Sequence, residues 1–335
     1  MSSTLNYHAP CWLPGGQAQT IWPALFSRRF FGPLPRFRRE RWTAPDGDFI
    51  DVDFALHPLP ARLPDGAPLL VLFHGLEGSS ASHYAQAFAD WAQERRVAYA
   101  VPHFRGCSGE INRAPRAYHS GDFEEVGWIL QRMRADHPQR PIIVVGISLG
   151  GNALLRWAQE MGGAASGLVS AVASVCSPID LMASGLAIGR GFNRLVYTRM
   201  FLRSMKPRAL ARLALHPGLF NRDKLLAARD LYEFDNLFTA PLHGFKNTDD
   251  YWTRASAKPH LARLRIPALV LNTLNDGFVP ASSLPGQHEV GRYVTLWQPR
   301  HGGHVGFPAG KPPGHVRALP NAVGDWLLGQ ALSIR

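Results

Sequence analysis

The sequence predicts an α/β fold with a mostly parallel central sheet, helices on its faces, and a helical cap inserted between two late strands. Three observations lead there. Short, continuous apolar runs such as APLLVLFHG (Ala67 to Gly75) and RPIIVVGIS (Arg140 to Ser148) end in polar turn residues, as strands buried on both faces do. Between these runs lie stretches of roughly a dozen residues with helical periodicity, and such alternation implies βαβ units and a parallel sheet. The alternation stops at Pro178 and resumes at Leu264. Composition agrees: 46% hydrophobic with 18% charged residues excludes disorder, coiled coil and collagen-like repetition. The 32 glycines and 27 prolines are spread along the chain, which is the punctuation of many short elements and not of a helical bundle.

Taken in order, residues 1–35 read as an irregular, Pro-rich segment packing on the core. Arg38 to Leu56 then reads as two strands around the turn Pro45-Asp46-Gly47. Ala67 to Gly75 is a buried strand, Tyr84 to Arg95 a helix, Val97 to Phe104 a second buried strand. Phe123 to Arg134 is helical, Arg140 to Ser148 is the most hydrophobic strand, and from Gly150 to Met161 the helical period returns. Leu168 to Val175 is again strand-like. After the interruption, Leu264 to Asp276 and Arg292 to Pro299 supply two more strands, and Val316 to Leu332 a closing helix. The division expected is therefore a core of residues 36–177 and 265–335, with residues 178–264 as the cap. Long excursions from an α/β sheet are usually functional.

The three cysteines, Cys11, Cys107 and Cys176, are scattered and show no CxxC spacing, so neither a disulfide framework nor a zinc ribbon is expected and a reducing compartment is. The N-terminal residues lack a basic region followed by an apolar one, which argues against a signal peptide. The longest apolar stretch, Gly167 to Gly189, is broken by Pro178 and Asp180, so it falls short of the roughly 18 clean apolar residues a spanning helix needs. A cytoplasmic location is expected. The formal charge is +11, and its excess falls in two places. Six arginines and one glutamate lie between Arg28 and Arg41; seven Lys or Arg and no carboxylate lie between Leu181 and Asn221. In the second, Arg194, Arg199, Arg203 and Arg212 alternate with Leu195, Met200 and Leu202 at helical spacing. Three readings fit this pattern: a solvated helix face over a domain core, a peripheral contact with anionic membrane through Arg190 to Arg212, or nucleic acid. No RNP, KH, finger or helix-turn-helix signature accompanies the charge, so no nucleic acid is expected.

The sharpest chemical signal is Gly146-Ile147-Ser148-Leu149-Gly150, a G-x-S-x-G placed between a strand and a helix-capable run. Glycines two residues either side of a serine let the backbone turn sharply and present the hydroxyl at the carboxyl edge of a sheet. A serine needs a base, and the base a carboxylate to orient it. In this architecture the chain order is serine, acid, histidine. Asp276 ends a strand at the right edge and His304 follows the next strand, in RHGGHVGF. His301 is the rival base, but it borders the strand, whereas Gly302 and Gly303 give His304 a flexible approach. Asp249 and Asp250 are weaker rivals to Asp276. The oxyanion of a tetrahedral intermediate needs backbone donors. The Leu149 N–H, first in its helix, and the Leu76 N–H, in HGLEG after the first buried strand, are the candidates. His74 in that loop reads as a structural histidine. No HExxH occurs among the 14 histidines, and HGGH offers no third ligand; no metal is expected. With no GxGxxG after the first strands, no cofactor is expected.

Several blocks together resemble the YheT-like branch of the α/β-hydrolase superfamily. They are GGQAQTIWP (Gly15 to Pro23), HGLEGSSASHY (His74 to Tyr84), FRGCSGEINRAPRAYHSGD (Phe104 to Asp122), GISLGGN, FDNLFTAPLHGF and HGGHVGF. The resemblance implies an α/β-hydrolase fold and carboxylesterase activity on short-chain or lipid-like acyl esters, with nucleophile Ser148, acid Asp276 and base His304. A small-molecule acyl ester is then the expected partner, with no protein partner. The same triad would serve acyl transfer or lipase and phospholipase chemistry. A lipid-binding protein without turnover is the alternative from another class. The block Arg105 to Asp122 either fixes the loop beside the site or touches substrate.

Overall fold

The computed structural model describes residues 6–56 and 63–333. Its sheet has eight strands: β1 (Phe37–Thr43), β2 (Phe49–Ala55), β3 (Leu69–Phe73), β4 (Ala98–Pro102), β5 (Ile142–Ile147), β6 (Ala171–Val175), β7 (Ala268–Leu271) and β8 (Val294–Trp297). They lie in the order β1-β2-β4-β3-β5-β6-β7-β8. From β4 to β8 every pairing is parallel, while the β1-β2 hairpin joins β4 antiparallel. The central strands are wholly buried and apolar but for Ser174, as a sheet covered on both faces requires.

Helices α2 (His83–Arg95), α3 (Phe123–Asp136) and α4 (Leu149–Met161) connect the strands, after a first helix, α1 (Gly16–Leu25). Between β6 and β7 come α5 (Leu181–Ile188), α6 (Gly191–Asn193), α7 (Arg199–Leu215), α8 (Arg222–Ala227), α9 (Leu231–Leu237), α10 (Thr239–Leu242) and α11 (Thr248–Ala255). A π-turn over Arg194–Thr198 fuses α6 to α7. The chain closes with α12 (Ala318–Ser333). One face of the sheet packs on α3 and α4 through Ile129, Leu154 and Trp157; the other packs on α2 and α12 through Phe88, Trp91 and Leu327. Removing apolar area from water on both faces, at about 25 cal/mol per Å², is the main force holding the three layers. Elements between β6 and β7 carry smaller clusters of their own, one around Leu202, Leu225, Phe234 and Phe238 and one around Tyr251 and Trp252.

Register brings the catalytic candidates to one edge. Phe73 is opposite Gly146, Ile147 opposite Val175, and Val175 opposite Leu271, so the loops after β3, β5 and β7 leave side by side. The chain reverses its direction of travel across the sheet at β3, from β4 on one side to β5 on the other. In open α/β sheets that switch point is where the crevice for a ligand forms.

Within the segment expected to be irregular, Gly16 to Leu25 forms α1; residues 1–5 lie outside the described residues. No side chain caps its start and Pro23 lies inside it, so neither end carries the usual helix signals.

Candidate active site

Ser148 ends β5 and begins α4 with φ 52° and ψ −121°, a conformation that strains any residue with a Cβ. The flanking glycines make the turn possible. A Cβ on Gly146 would lie 2.5 Å from the Gly151 Cα, and one on Gly150 would lie 2.5 Å from the His74 carbonyl oxygen. Strand, turn and helix are so close here that only hydrogen fits. The backbone N–H of Ser148 donates to the Val175 carbonyl at 2.8 Å, which ties the turn to the neighbouring strand.

The Ser148 hydroxyl is 3.0 Å from His304 Nε2, and His304 Nδ1 is 2.8 Å from Asp276 Oδ2. Asp276 Oδ1 accepts from the backbone N–H groups of Phe278 and Val279, at 2.7 and 3.3 Å. With Nδ1–H donating to the carboxylate, the imidazole presents its Nε2 lone pair to the serine. Phe278 stacks on the His304 ring with centroids 4.1 Å apart. His301, the rival base, is exposed and makes no side-chain hydrogen bond to the described residues. Asp250 instead bonds Arg254 and the Lys246 and Asn247 segment at the start of α11.

The N–H groups of Leu76 and Leu149 have no acceptor among the described residues, and both residues line the cavity that Ser148 and His304 face. His74 is wholly buried and its Nε2 accepts from the Phe104 N–H at 3.1 Å, while Nδ1 lies 2.8 Å from the Gly75 carbonyl. Burial, with His103 nearby, holds its pKa down at about 3. It is a neutral pin between two loops and not a second base. Glu77, next to Leu76, has a left-handed backbone, φ 58°. It is held by its N–H to Tyr118 Oη, by Tyr118 Oη–H to Oε1, and by Arg208 at 3.1 Å.

Gln19 and Thr20 of α1 are functional neighbours that the residues alone did not announce. Gln19 is 2% exposed; its Oε1 accepts from the Gly302 N–H and from Asn275 Nδ2, both at 2.9 Å. Thr20 Oγ1 accepts from the His304 N–H at 2.8 Å. The only trace in the sequence was the QT pair inside GGQAQTIWP.

The block Arg105 to Asp122 is fixed beside the site and borders its cavity. Asn112 braces it internally by accepting from the Gly106 N–H, and Arg105 ties it to Glu125 at 2.6 Å and to Asp46 and Asp48. Asn152 of α4 donates to the Ser120 carbonyl. Its residues Ile111, Ala117 and Tyr118 also line the cavity. The basic stretch Arg190 to Arg212 is divided. Arg190, Arg194, Arg199 and Arg203 are exposed beside exposed Phe192, Leu195 and Met200. Arg208 turns inward to Glu77, and Arg212 is buried at 4% exposure, so a uniform solvated face does not exist.

A catalytic-edge serine on a strained strand-to-helix turn and a doubly wound sheet define an α/β hydrolase. A family model described as alpha/beta hydrolase fold matches residues 68–310. YheT of Escherichia coli (strain K12), a candidate esterase by name, is 38% identical over 312 residues, covering 92% of this chain and 89% of its own. The chain belongs to the α/β-hydrolase family and, within it, to the YheT-like branch. Phospholipase ABHD3 of Homo sapiens is 26% identical over 310 residues, 92% of this chain and 75% of that one. Monoacylglycerol lipase of Saccharomyces cerevisiae is 26% identical over 278 residues, covering 81% and 59%. Among solved structures, Est1E from Butyrivibrio proteoclasticus, bound to ferulic acid, superposes with TM-score 0.54 at 14% identity over 87% of this chain and 98% of its own, a likeness of fold. The protein is an ester hydrolase of the esterase and lipase type. Among the described residues no helix is long and apolar enough to cross a membrane.

Proposed function

We propose that the protein is a serine carboxylesterase that cleaves short-chain or lipid-like acyl esters through an acyl-enzyme on Ser148. The observation that carries this reading is the unbroken hydrogen-bond chain Ser148–His304–Asp276, at 3.0 and 2.8 Å. His304 Nε2 takes the hydroxyl proton as Oγ attacks the ester carbonyl carbon. Asp276 steadies the imidazolium that forms. The N–H groups of Leu76 and Leu149 receive the oxyanion, in a place where each such donor lowers the barrier by about 3 kcal/mol. His304 then protonates the leaving alkoxide; water, deprotonated by the same nitrogen, releases the acid and frees Ser148.

Residues 178–264 act as a cap in this reading, since Leu181, Phe201, Phe234 and Trp252 line the cavity that holds Ser148 and set its apolar character. Replacing Ser148 with alanine is expected to lower kcat/KM for p-nitrophenyl butyrate by about 10⁴-fold or more and to abolish fluorophosphonate labelling. Retained turnover with an intact fold would overturn the assignment. The exposed Phe192, Leu195 and Met200, flanked by Arg190, Arg194, Arg199 and Arg203, support a second reading, peripheral docking on anionic lipid. Sedimentation with phosphatidylserine vesicles at low salt should carry the protein down and high salt should release it; failure to sediment at low salt would remove this reading.

A further inference from the structure

Among the described residues, Arg212 is the one guanidinium of the cavity wall that has nothing to hold. It lies on α7, 4% exposed, and its Nε has no hydrogen-bond partner among the described residues. Arginine keeps its charge at any working pH, and a buried charge without a counter-ion costs several kcal/mol. Its neighbours are otherwise engaged. Arg208, one turn earlier on the same helix, is paired with Glu77. Arg105, across from it, binds Glu125, Asp46 and Asp48. Asp48 is filled by the N–H groups of Phe49, Arg113 and Ala114 as well. Glu125 keeps a free Oε2, but burial and the nearby Asp122 push its carboxyl upward, which makes it a poor counter-ion. Neither Asp48 nor Glu125 reaches the cavity, whereas Arg212 does, together with Ser148, Leu76 and Leu149.

We infer that Arg212 is the recognition site for an anionic group, a carboxylate or a phosphate, carried by the ester substrate. The inference rests on Ser148 being the nucleophile and names the class of ester it attacks. Its placement follows from α7. Arg208 reaches Glu77, the neighbour of Leu76, and Arg212 stands one helical turn, about 5.4 Å, further on. The substrate's reacting carbonyl therefore sits at one end of the cavity and its anion past the oxyanion loop, with the apolar wall of Phe201, Phe234 and Phe238 beside the length between. A guanidinium offers paired N–H donors matched to two oxygens of an oxyacid. Sites built to receive a polar group discriminate sharply against analogues that lack it.

The test compares each anionic ester with its neutral counterpart in two arms. In the acyl arm, p-nitrophenyl hemiglutarate and hemiadipate are compared with their methyl-capped diesters. In the alcohol arm, a lysophosphatidate is compared with the monoacylglycerol of the same chain. Wild type is expected to favour the anionic member of at least one arm in kcat/KM by about 10- to 100-fold, and the arm that responds tells which side of the ester carries the charge. Arg212→Met should bring that ratio close to one, and Arg212→Lys should recover part of it. Preference for the neutral ester in both arms, as pairing of Arg212 with Glu125 in solution would give, overturns the inference. So does a ratio unchanged in Arg212→Met. If Arg212→Met fails to fold, the wild-type ratio and Arg212→Lys still decide. The neutral esters report the chemistry separately: were Ser148→Ala to hydrolyse them undiminished, the nucleophile assignment would fail and not the anion site alone.

Discussion

The two walls of the catalytic cavity are built differently. On the sheet edge, each side chain of the proposed triad is engaged by another part of the chain: Ser148 by His304, His304 by Asp276, Asp276 by two backbone N–H groups. On the wall between β6 and β7, Ser184 Oγ and Arg212 Nε have no partner among the described residues, and Asp235 is a half-buried carboxylate held, among those residues, by neutral donors, Thr239 Oγ1 at 2.6 Å and Trp252 Nε1 at 2.9 Å. Preorganised groups lower the barrier because they need not move when charge develops. On the proposed reading, the difference separates the wall that would perform the reaction from the wall that would choose the substrate.

Asp235 gives the largest expected effect after the loss of the nucleophile, and it can break the comparison from the covering side. Burial pushes its carboxyl from 3.8 up to about 6. The folded state therefore keeps a proton that the unfolded chain has lost, and stability falls as the pH rises from about 4 to about 6, by up to about 3 kcal/mol from this group. Below that window both states are protonated and the group is silent. Asp235→Asn keeps an acceptor for Trp252 and a partner for Thr239 while removing the charge. Its stability relative to wild type should therefore rise across the same window and level off above pH 7. Denaturant midpoints at pH 4, 6 and 8 for both proteins measure this. A variant that tracks wild type throughout would mean that the covering wall meets its charges as fully as the sheet edge does.

The contrast also governs what could be read from the residues. Strands β3, β5 and β7 were legible because strands buried on both faces must be continuously apolar, and Ser148 because its turn demands glycines at fixed offsets. Asp276 and His304 followed from chain order, once the sheet was assumed. Helix α1 was not legible: Gly15 at its start offers no capping side chain, and Pro23 lies within it. Nor could the bonds from Gln19 and Thr20 to the His304 loop be read, because their partners lie more than 280 positions away in sequence. Arg212 was misplaced for a related reason. Helical spacing groups Arg194, Arg199, Arg203 and Arg212 on a face, but which part of the helix is covered depends on Glu77 and the segment after β4, which meet α7 at Arg208 and, just past its end, at His216.

Thr20 tests the comparison from the sheet edge, with the smallest expected effect. Its Oγ1 accepts from the His304 N–H at 2.8 Å and donates to the Gly16 carbonyl at 2.8 Å, so α1 fixes the backbone from which the base projects. Thr20→Val has nearly the same shape and removes both bonds. Leaving the His304 N–H without an acceptor should destabilise the protein by about 1 to 2 kcal/mol. The imidazole would also spend less time aligned between Ser148 and Asp276, and small misplacements of a catalytic group slow the chemical step out of proportion to their size. For p-nitrophenyl butyrate, kcat should fall by about 5- to 20-fold with KM nearly unchanged, and Thr20→Ser, which restores the hydroxyl, should recover most of the loss. A fall confined to thermal stability, with kcat intact at a temperature where both variants are folded, would show that the sheet edge holds its base without α1. The engagement of this wall would then end at Asp276 and its two N–H donors.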